Sequence, residues 1–205
     1  MNSTERHEIK AKENKLKLKK NSIVIGLVGT FEYRKGHDIL LNAVSLLNQT
    51  QLEKIELLFI GSSDQDNLLR VKELINKFNL TNKVQILPFQ NLRNIYSLID
   101  ILVLPSRREG FLLVSIEGMM MQCCVVRSNT EGSYEQIIPN ESGLIFENEN
   151  VNQLHSMLSE LIDNPKEIER LAIGGQKRAL EYFTSDQMAS KTLQVYQKLA
   201  SNPNK

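Results

Sequence analysis

The sequence predicts an α/β fold, a doubly wound parallel sheet completed by carboxy-terminal helices, on three observations. Six short apolar runs, Ile23 to Gly29, Ile55 to Gly61, Val84 to Leu87, Ile101 to Leu104, Cys124 to Val126 and Leu144 to Phe146, end at Gly, Pro or polar residues. Strands buried on both faces read this way. Between the early runs lie apolar residues at helical spacing, first Ile39, Leu40, Ala43, Val44 and Leu47, then Leu68, Leu69, Val71, Leu74 and Ile75. From about Val151 the strands stop and only helical spacing continues. Such β-α alternation means parallel strands joined by right-handed crossovers, and a sheet of this kind takes its ligand outside the carboxyl ends of the strands.

Taken in order, residues 1–22 form a compositional zone of their own. Glu5 to Lys20 carries seven basic and three acidic residues without Gly or Pro, which reads as a linker or frayed helix. Ile9, Leu16 and Leu18 supply too little apolar face to argue strongly for a membrane-binding arm. Residues 23–205 are expected to form one domain. Its last part contains Leu154, Leu158 and Leu161, then Leu171, Ala172 and Ala179, then Met188, Leu193, Val195 and Leu199, with Asn164-Pro165 and Thr184-Ser-Asp186 as the breaks and caps between helices.

Bulk properties exclude several classes. A chain of 205 residues, 41% apolar and 24% charged, suits a globular domain with a sizeable core. A net charge of +1 gives no reason to invoke nucleic acid. No apolar run approaches the roughly eighteen residues of a membrane span, and the amino terminus is polar, so a cytoplasmic location is expected. The adjacent Cys123 and Cys124 cannot staple distant segments and read as buried, reduced thiols.

Candidate chemistry gathers at two strand exits. Gly26-Leu-Val-Gly29-Thr30 lacks the spacing of a dinucleotide turn, and no Gly-Lys-Ser/Thr follows, so neither an NAD site nor a P-loop is supported. Arg34-Lys35-Gly36 follows instead, where a strand hands over to a helix. A lysine there is ordinarily a solvated surface residue, but at this edge a cation can also neutralise a diphosphate. Arg34, as its neighbour, is expected to point elsewhere.

The second exit is Pro105-Ser-Arg-Arg-Glu-Gly-Phe-Leu-Leu-Val-Ser-Ile-Glu117. Gly110 allows close backbone approach, and a helix beginning near Phe111 would aim its first amides, around Gly110, Phe111 and Leu112, at a phosphate. Glu109 and Glu117 would be separated by roughly 12 Å if the segment between them is helical, enough to hold a sugar at one end of a diphosphate and a ribose at the other. In the competing reading Glu109 is a helix-start acid and Glu117 an exposed helix residue. The apolar neighbours of Glu117 argue against a solvated face and for a partner.

Other acidic and histidine residues are read as structural. Asp64-Gln-Asp66 precedes a helix and reads as a cap, not a metal motif. His7, His37 and His155 are too dispersed for a metal cluster, and Tyr96 and Asp100 read as a packed aromatic and a loop acid.

Pro-Ser, then Glu-Gly-Phe, then a second Glu eight positions after the first, resembles the E-x7-E signature of retaining GT-B glycosyltransferases, especially glycosyltransferase family 4. Val28-Gly-Thr-Phe-Glu-Tyr-Arg-Lys-Gly36 is similar to the family's first glycine turn, and Tyr96 to Ser106 to the strand leading into the motif. Ser128-Asn-Thr-Glu-Gly-Ser-Tyr-Glu135 and Ser142-Gly-Leu-Ile-Phe146 resemble its next two blocks. The resemblance spans about Ile23 to Phe183. It departs at Thr30, where many relatives carry Arg, at Gly118 to Cys124, and at Glu131, where a glycine is usual.

The resemblance implies the Rossmann-like, carboxy-terminal donor half of a GT-B enzyme, acting on a nucleoside-diphosphate sugar without a metal or other cofactor. It casts Lys35 and Glu109 as catalytic. Gly29, Thr30, Arg34, Gly110, Phe111, Leu112 and Glu117 would bind the donor, and Pro88 and Phe89 its base. An acceptor-binding domain, in cis or in trans, is the implied partner, and any membrane contact would come through it. Surface polysaccharide or lipopolysaccharide assembly is the associated pathway. The alternative is a non-catalytic nucleotide-sugar-binding module or a degenerate half-enzyme. A flavodoxin-like or response-regulator-like domain is disfavoured because no acidic cluster follows the first strand.

Overall fold

The computed structural model describes residues 18, 19, 21–89 and 95–201. Most of the expected amino-terminal arm, with His7, therefore lies outside the described residues. Strands β1 (Ile23–Val28), β2 (Ile55–Ile60), β3 (Val84–Leu87), β4 (Ile101–Leu104), β5 (Cys124–Ser128) and β6 (Leu144–Phe146) form one sheet in the order β3-β2-β1-β4-β5-β6. Every pairing is parallel. Each expected strand is present, β5 running two residues further than its apolar stretch. The order reverses between β1 and β4, which makes that crevice the topological switch point.

Helices α1 (His37–Ser45), α2 (Gln49–Lys54), α3 (Gln65–Lys77), α4 (Leu113–Met120), α5 (Ser133–Gln136), α6 (Val151–Asp163), α7 (Pro165–Tyr182) and α8 (Ser185–Ala200) surround the sheet, and a 3-10 turn covers Tyr33–Lys35. Helix α2 was not expected. Its signal is a capping box, in which the Asn48 side chain accepts from the Gln51 amide at 2.9 Å and Gln51 Oε1 accepts from the Asn48 amide at 3.3 Å. Pro165 opens α7, and the Thr184 hydroxyl caps α8 by accepting from the Gln187 amide.

Two cores lie on opposite faces of the sheet. Leu27, Phe59, Val103 and Val126 pack with residues of α1 and α6, and Val24, Leu58, Leu102 and Val125 pack with Leu112 and Met119. Successive strand residues alternate between these faces, and because both are covered the strands carry unbroken apolar runs. Helix α8 differs: it has no buried residue, and Met188, Leu193, Val195, Tyr196 and Leu199 are exposed. Among the described residues no helix is long and apolar enough to cross a membrane.

Two glycines bring the strand exits together. Gly36 has φ 72°, and a Cβ there would lie 2.0 Å from the Pro105 carbonyl oxygen. A Cβ on Gly61 would lie 1.8 Å from the carbonyl oxygen of Gly29. Only glycine permits both approaches, so the turns after β1, β2 and β4 press against one another. Arg107 then fastens the β4 exit to α1. Its guanidinium donates to both Asp38 carboxylate oxygens at 2.9 and 2.7 Å and to the Tyr33 carbonyl at 2.8 Å. It also donates to Glu149 at 2.8 Å and lies 3.7 Å over the Tyr33 ring. Burial alone would raise the Asp38 carboxyl, yet the Arg107 bonds and charge hold it below the ordinary carboxylate value.

His37 opens α1 as expected of a helix-start residue, but it is buried at 1% exposure between Phe31, stacked at 4.8 Å, and Phe59, edge-on at 5.3 Å. Neither ring nitrogen has a hydrogen-bond partner among the described residues. Burial, assisted by the nearby Arg70 charge, lowers its pKa to about 3. Between that value and the ordinary 6.5 the unfolded chain binds the extra proton, so stability rises with pH and is lost as pH falls. Chemical denaturation should therefore show a loss of about 2 kcal/mol from this group between pH 7 and pH 5. His37→Phe should reduce that pH dependence, and equal slopes for the two proteins would refute it.

Candidate functional site

At the switch point the structure gathers charge. Glu109, its side chain 10% exposed, accepts at one carboxylate oxygen from Lys35 Nζ at 2.6 Å and from an Arg34 guanidinium nitrogen at 2.8 Å. Arg34 also donates to the Arg108 carbonyl at 3.3 Å and pairs with Glu32 at 3.3 Å. The expectation that Arg34 points away from Lys35 is corrected here. The two residues leave a 3-10 turn about 120° apart, and their long side chains close on one acceptor lying between. The Lys35 stem runs along the glycine turn, since a Cβ added to Gly29 would lie 3.3 Å from Lys35 Cδ and Cε.

The loop that carries Glu109 runs directly into α4. That helix begins at Leu113, with Leu112 as its N-cap, two residues after the expected start at Phe111. Residues 109–112 are loop, so the estimated separation of the glutamates along a continuous helix does not apply. No side chain caps α4. Among the described residues no hydrogen-bond acceptor meets the amides of Gly110, Phe111 or Leu112. These loop amides lead into an uncapped helix start, and unbonded donors beside a positive dipole end favour an anion. Gly110 has open space around its α-carbon, and Gly132 of the next loop lies behind it, a Cβ there reaching 3.1 Å from the Gly110 carbonyl oxygen. Phe111 is exposed and packs edge-on against Phe183 at 6.0 Å.

Glu117 lies one helical turn further along, and its placement is a second correction. It is exposed. Ser115, Ile116, Gly118 and Met119 form the buried face of α4, while Leu113, 63% exposed, and Glu117 share the opposite face at i, i+4. Apolar neighbours in sequence therefore did not imply an apolar environment. The expected partner does exist: the buried Tyr96 hydroxyl donates to a Glu117 carboxylate oxygen at 2.7 Å. Burial and this bond raise the Tyr96 pKa, so the phenol stays protonated and fixes the carboxylate's orientation. Tyr96 is thus more than a packed aromatic.

Other expected residues lie further off. Pro88 and Phe89, at the exit of edge strand β3, are exposed, two strands from β1, and Phe89 is exposed to 67%. The Thr30 hydroxyl is buried without a partner among the described residues. Its residue lines a shallow, open pocket with Phe31, Glu32, Ser62, Ser63, Asp64 and Asn67, which does not include Lys35 or Glu109. The Lys35, Arg34 and Glu109 cluster lies outside this pocket. Asp64 caps α3 by accepting from the Asn67 amide at 2.7 Å, as read from the sequence. Asp100 accepts from the Val24 amide at 2.8 Å. Both cysteines are reduced and buried, and burial pushes the Cys124 thiol far up, so it is inert.

This geometry can be set beside known proteins. The chain is 27% identical over 176 residues to the capsular polysaccharide biosynthesis glycosyltransferase CapM of Staphylococcus aureus, covering 86% of this chain and 46% of CapM. Among solved structures it is similar to sucrose-phosphate synthase of Thermosynechococcus elongatus, with TM-score 0.84 and 27% identity over 95% of this chain and 49% of that one. Anabaena HepE, solved in complex with UDP and glucose, has the same fold, with TM-score 0.82 and 18% identity over 98% of this chain and 53% of HepE. The chain thus spans about half the length of these relatives. The family model described as glycosyl transferases group 1 matches residues 8–178, and with a six-stranded parallel sheet whose switch point holds the Lys35, Arg34 and Glu109 cluster, the chain belongs to that family.

Proposed function

We propose that this chain is the donor-binding half of a retaining, GT-B-type hexosyltransferase that moves a sugar from a nucleoside-diphosphate sugar to an acceptor hydroxyl without a metal. The observation that carries the reading is the convergence of Lys35 and Arg34 beside the uncapped amino end of α4. As the glycosidic bond to the diphosphate loosens, negative charge grows on the leaving oxygen. Groups that meet that charge stabilise the transition state more than the ground state. Lys35 supplies a point charge there, Arg34 a planar fork, and the amides from Gly110 to Leu112 a set of fixed dipoles.

Glu109 keeps both cations aimed at the loop. A bound diphosphate would compete with it for them, leaving the carboxylate to accept hydrogen bonds from the donor sugar. Glu117, held by Tyr96, would grip the ribose hydroxyls. The HepE complex supports a uridine-linked donor, and the CapM relationship favours surface polysaccharide assembly.

A second domain, in cis or in trans, would supply the acceptor site. The exposed apolar residues of α8 give it a surface to seat on. Any membrane contact would come through that half.

A thermal-shift screen against nucleoside diphosphates and their sugars tests the donor reading, because a ligand bound only by the native form raises its apparent stability. At a hundredfold excess over Kd the native state gains about 2.7 kcal/mol. A melting temperature indifferent to every nucleoside diphosphate would contradict the reading.

Two substitutions separate the roles. Lys35→Ala should weaken binding of a nucleoside diphosphate by about tenfold or more in calorimetry, the scale of one charge-assisted hydrogen bond, and leave binding of the bare nucleoside unchanged. Equal losses for both ligands would remove its phosphate role. Glu117→Ala should weaken nucleotide and nucleoside alike, and unchanged affinity for either would contradict a ribose contact.

A further inference from the structure

Arg127 is fully buried, yet it carries a charge that no neighbouring carboxylate neutralises. It stands on β5 opposite Leu104, the last residue of the strand that delivers Glu109. One guanidinium nitrogen donates to Gln136 Oε1, and the other to Thr130 Oγ1 at 3.1 Å and the Glu131 carbonyl at 3.4 Å. Its Nε has no acceptor among the described residues, none of whose carboxylates lies within ion-pairing distance. Burial lowers its pKa to about 10, against which the charges of Glu109 and Glu135 act through space. The group is therefore cationic at neutral pH, and the field of Glu109 reaches it. Burying a cation with only neutral acceptors is costly, and water screens its field little.

Its neighbours lead to the anion-binding end of α4. Gln136, which accepts from Arg127, donates its amide to the carbonyl of Leu112, the N-cap of α4, at 3.2 Å. Thr130 and Glu131, which also accept from Arg127, belong to the turn whose Gly132 lies against Gly110. We infer that Arg127 is a positioning residue for the donor diphosphate, holding the Leu112 and Gly132 backbone in place from beneath while adding a weakly screened positive charge to the site. The inference rests on the proposed donor reading. It concerns a residue that does not touch the ligand.

The test is calorimetric titration of the full chain with UDP and GDP, using uridine and guanosine as neutral controls. Arg127→Met, which keeps the volume and removes the charge, should lose about tenfold in affinity for the diphosphates and nothing for the nucleosides. Arg127→Lys, which restores the charge, should bind the diphosphates within about threefold of the parent. A merely structural role would lower affinity for charged and neutral ligands in the same proportion, and that result, or unchanged affinity in Arg127→Met, overturns the inference. If Arg127→Met does not fold, Gln136→Leu, which cuts the link to Leu112, should weaken diphosphate binding several-fold, and parental affinity would be equally fatal. A parent protein that binds neither UDP nor GDP overturns the donor reading and this inference together, whereas a binding parent with indifferent variants removes this inference alone.

Discussion

One carboxylate oxygen of Glu109 receives two cations, and the rest of the architecture serves to bring those three side chains together. Lys35 and Arg34 lie just beyond β1, while Glu109 lies beyond β4, more than seventy residues away in sequence. They meet because β1 and β4 are neighbours at the reversal of strand order. They meet at hydrogen-bonding distance because Gly36 lets its turn rest on the Pro105 carbonyl and because Arg107 locks the β4 exit to Asp38 and Tyr33. A side chain at position 36 or the loss of the Arg107 fork would move the cations relative to α4, and angstrom-scale misplacement is costly in group transfer.

Charge is arranged in layers around this contact. The outer, half-buried layer is the α4 amino end with the pair of cations beside it, and the fully buried layer is Arg127 with its neutral acceptors. Neutral partners matter in the buried layer, since a carboxylate there would cancel the field that the outer layer needs. Glu117 lies further along α4, oriented by a phenol that burial keeps protonated. The fold thus holds a positive site over an apolar, doubly covered sheet, where reorganisation is small and preorganised dipoles act most strongly.

Much of this was legible in the residues. All six strands and their parallel order followed from short apolar runs alternating with helical spacing, because strands covered on both faces leave little room for polar residues. The meeting of Lys35 with Glu109 was legible from the two strand exits that carry them. Three features were not. Arg34 was expected to diverge from Lys35, since spacing along the chain does not reveal a 3-10 turn. Glu117 was expected to avoid solvent, since an eight-residue helix can expose Leu113 as readily as a polar residue. The roles of Tyr96 and Arg127 depend on contacts across 21 and 9 residues, which no periodicity encodes.

The central claim is that a diphosphate rests on the backbone between Gly110 and Leu112. Nuclear magnetic resonance titration of the isotopically labelled chain with a nucleoside diphosphate tests it most directly, through amide shifts residue by residue. The account predicts that the largest shifts fall on Gly29, Gly110, Phe111 and Leu112, with smaller ones along α4 toward Glu117. Saturable binding whose largest shifts fall instead on Ser62, Asp64 and Asn67, around the open pocket beside Thr30, would contradict it.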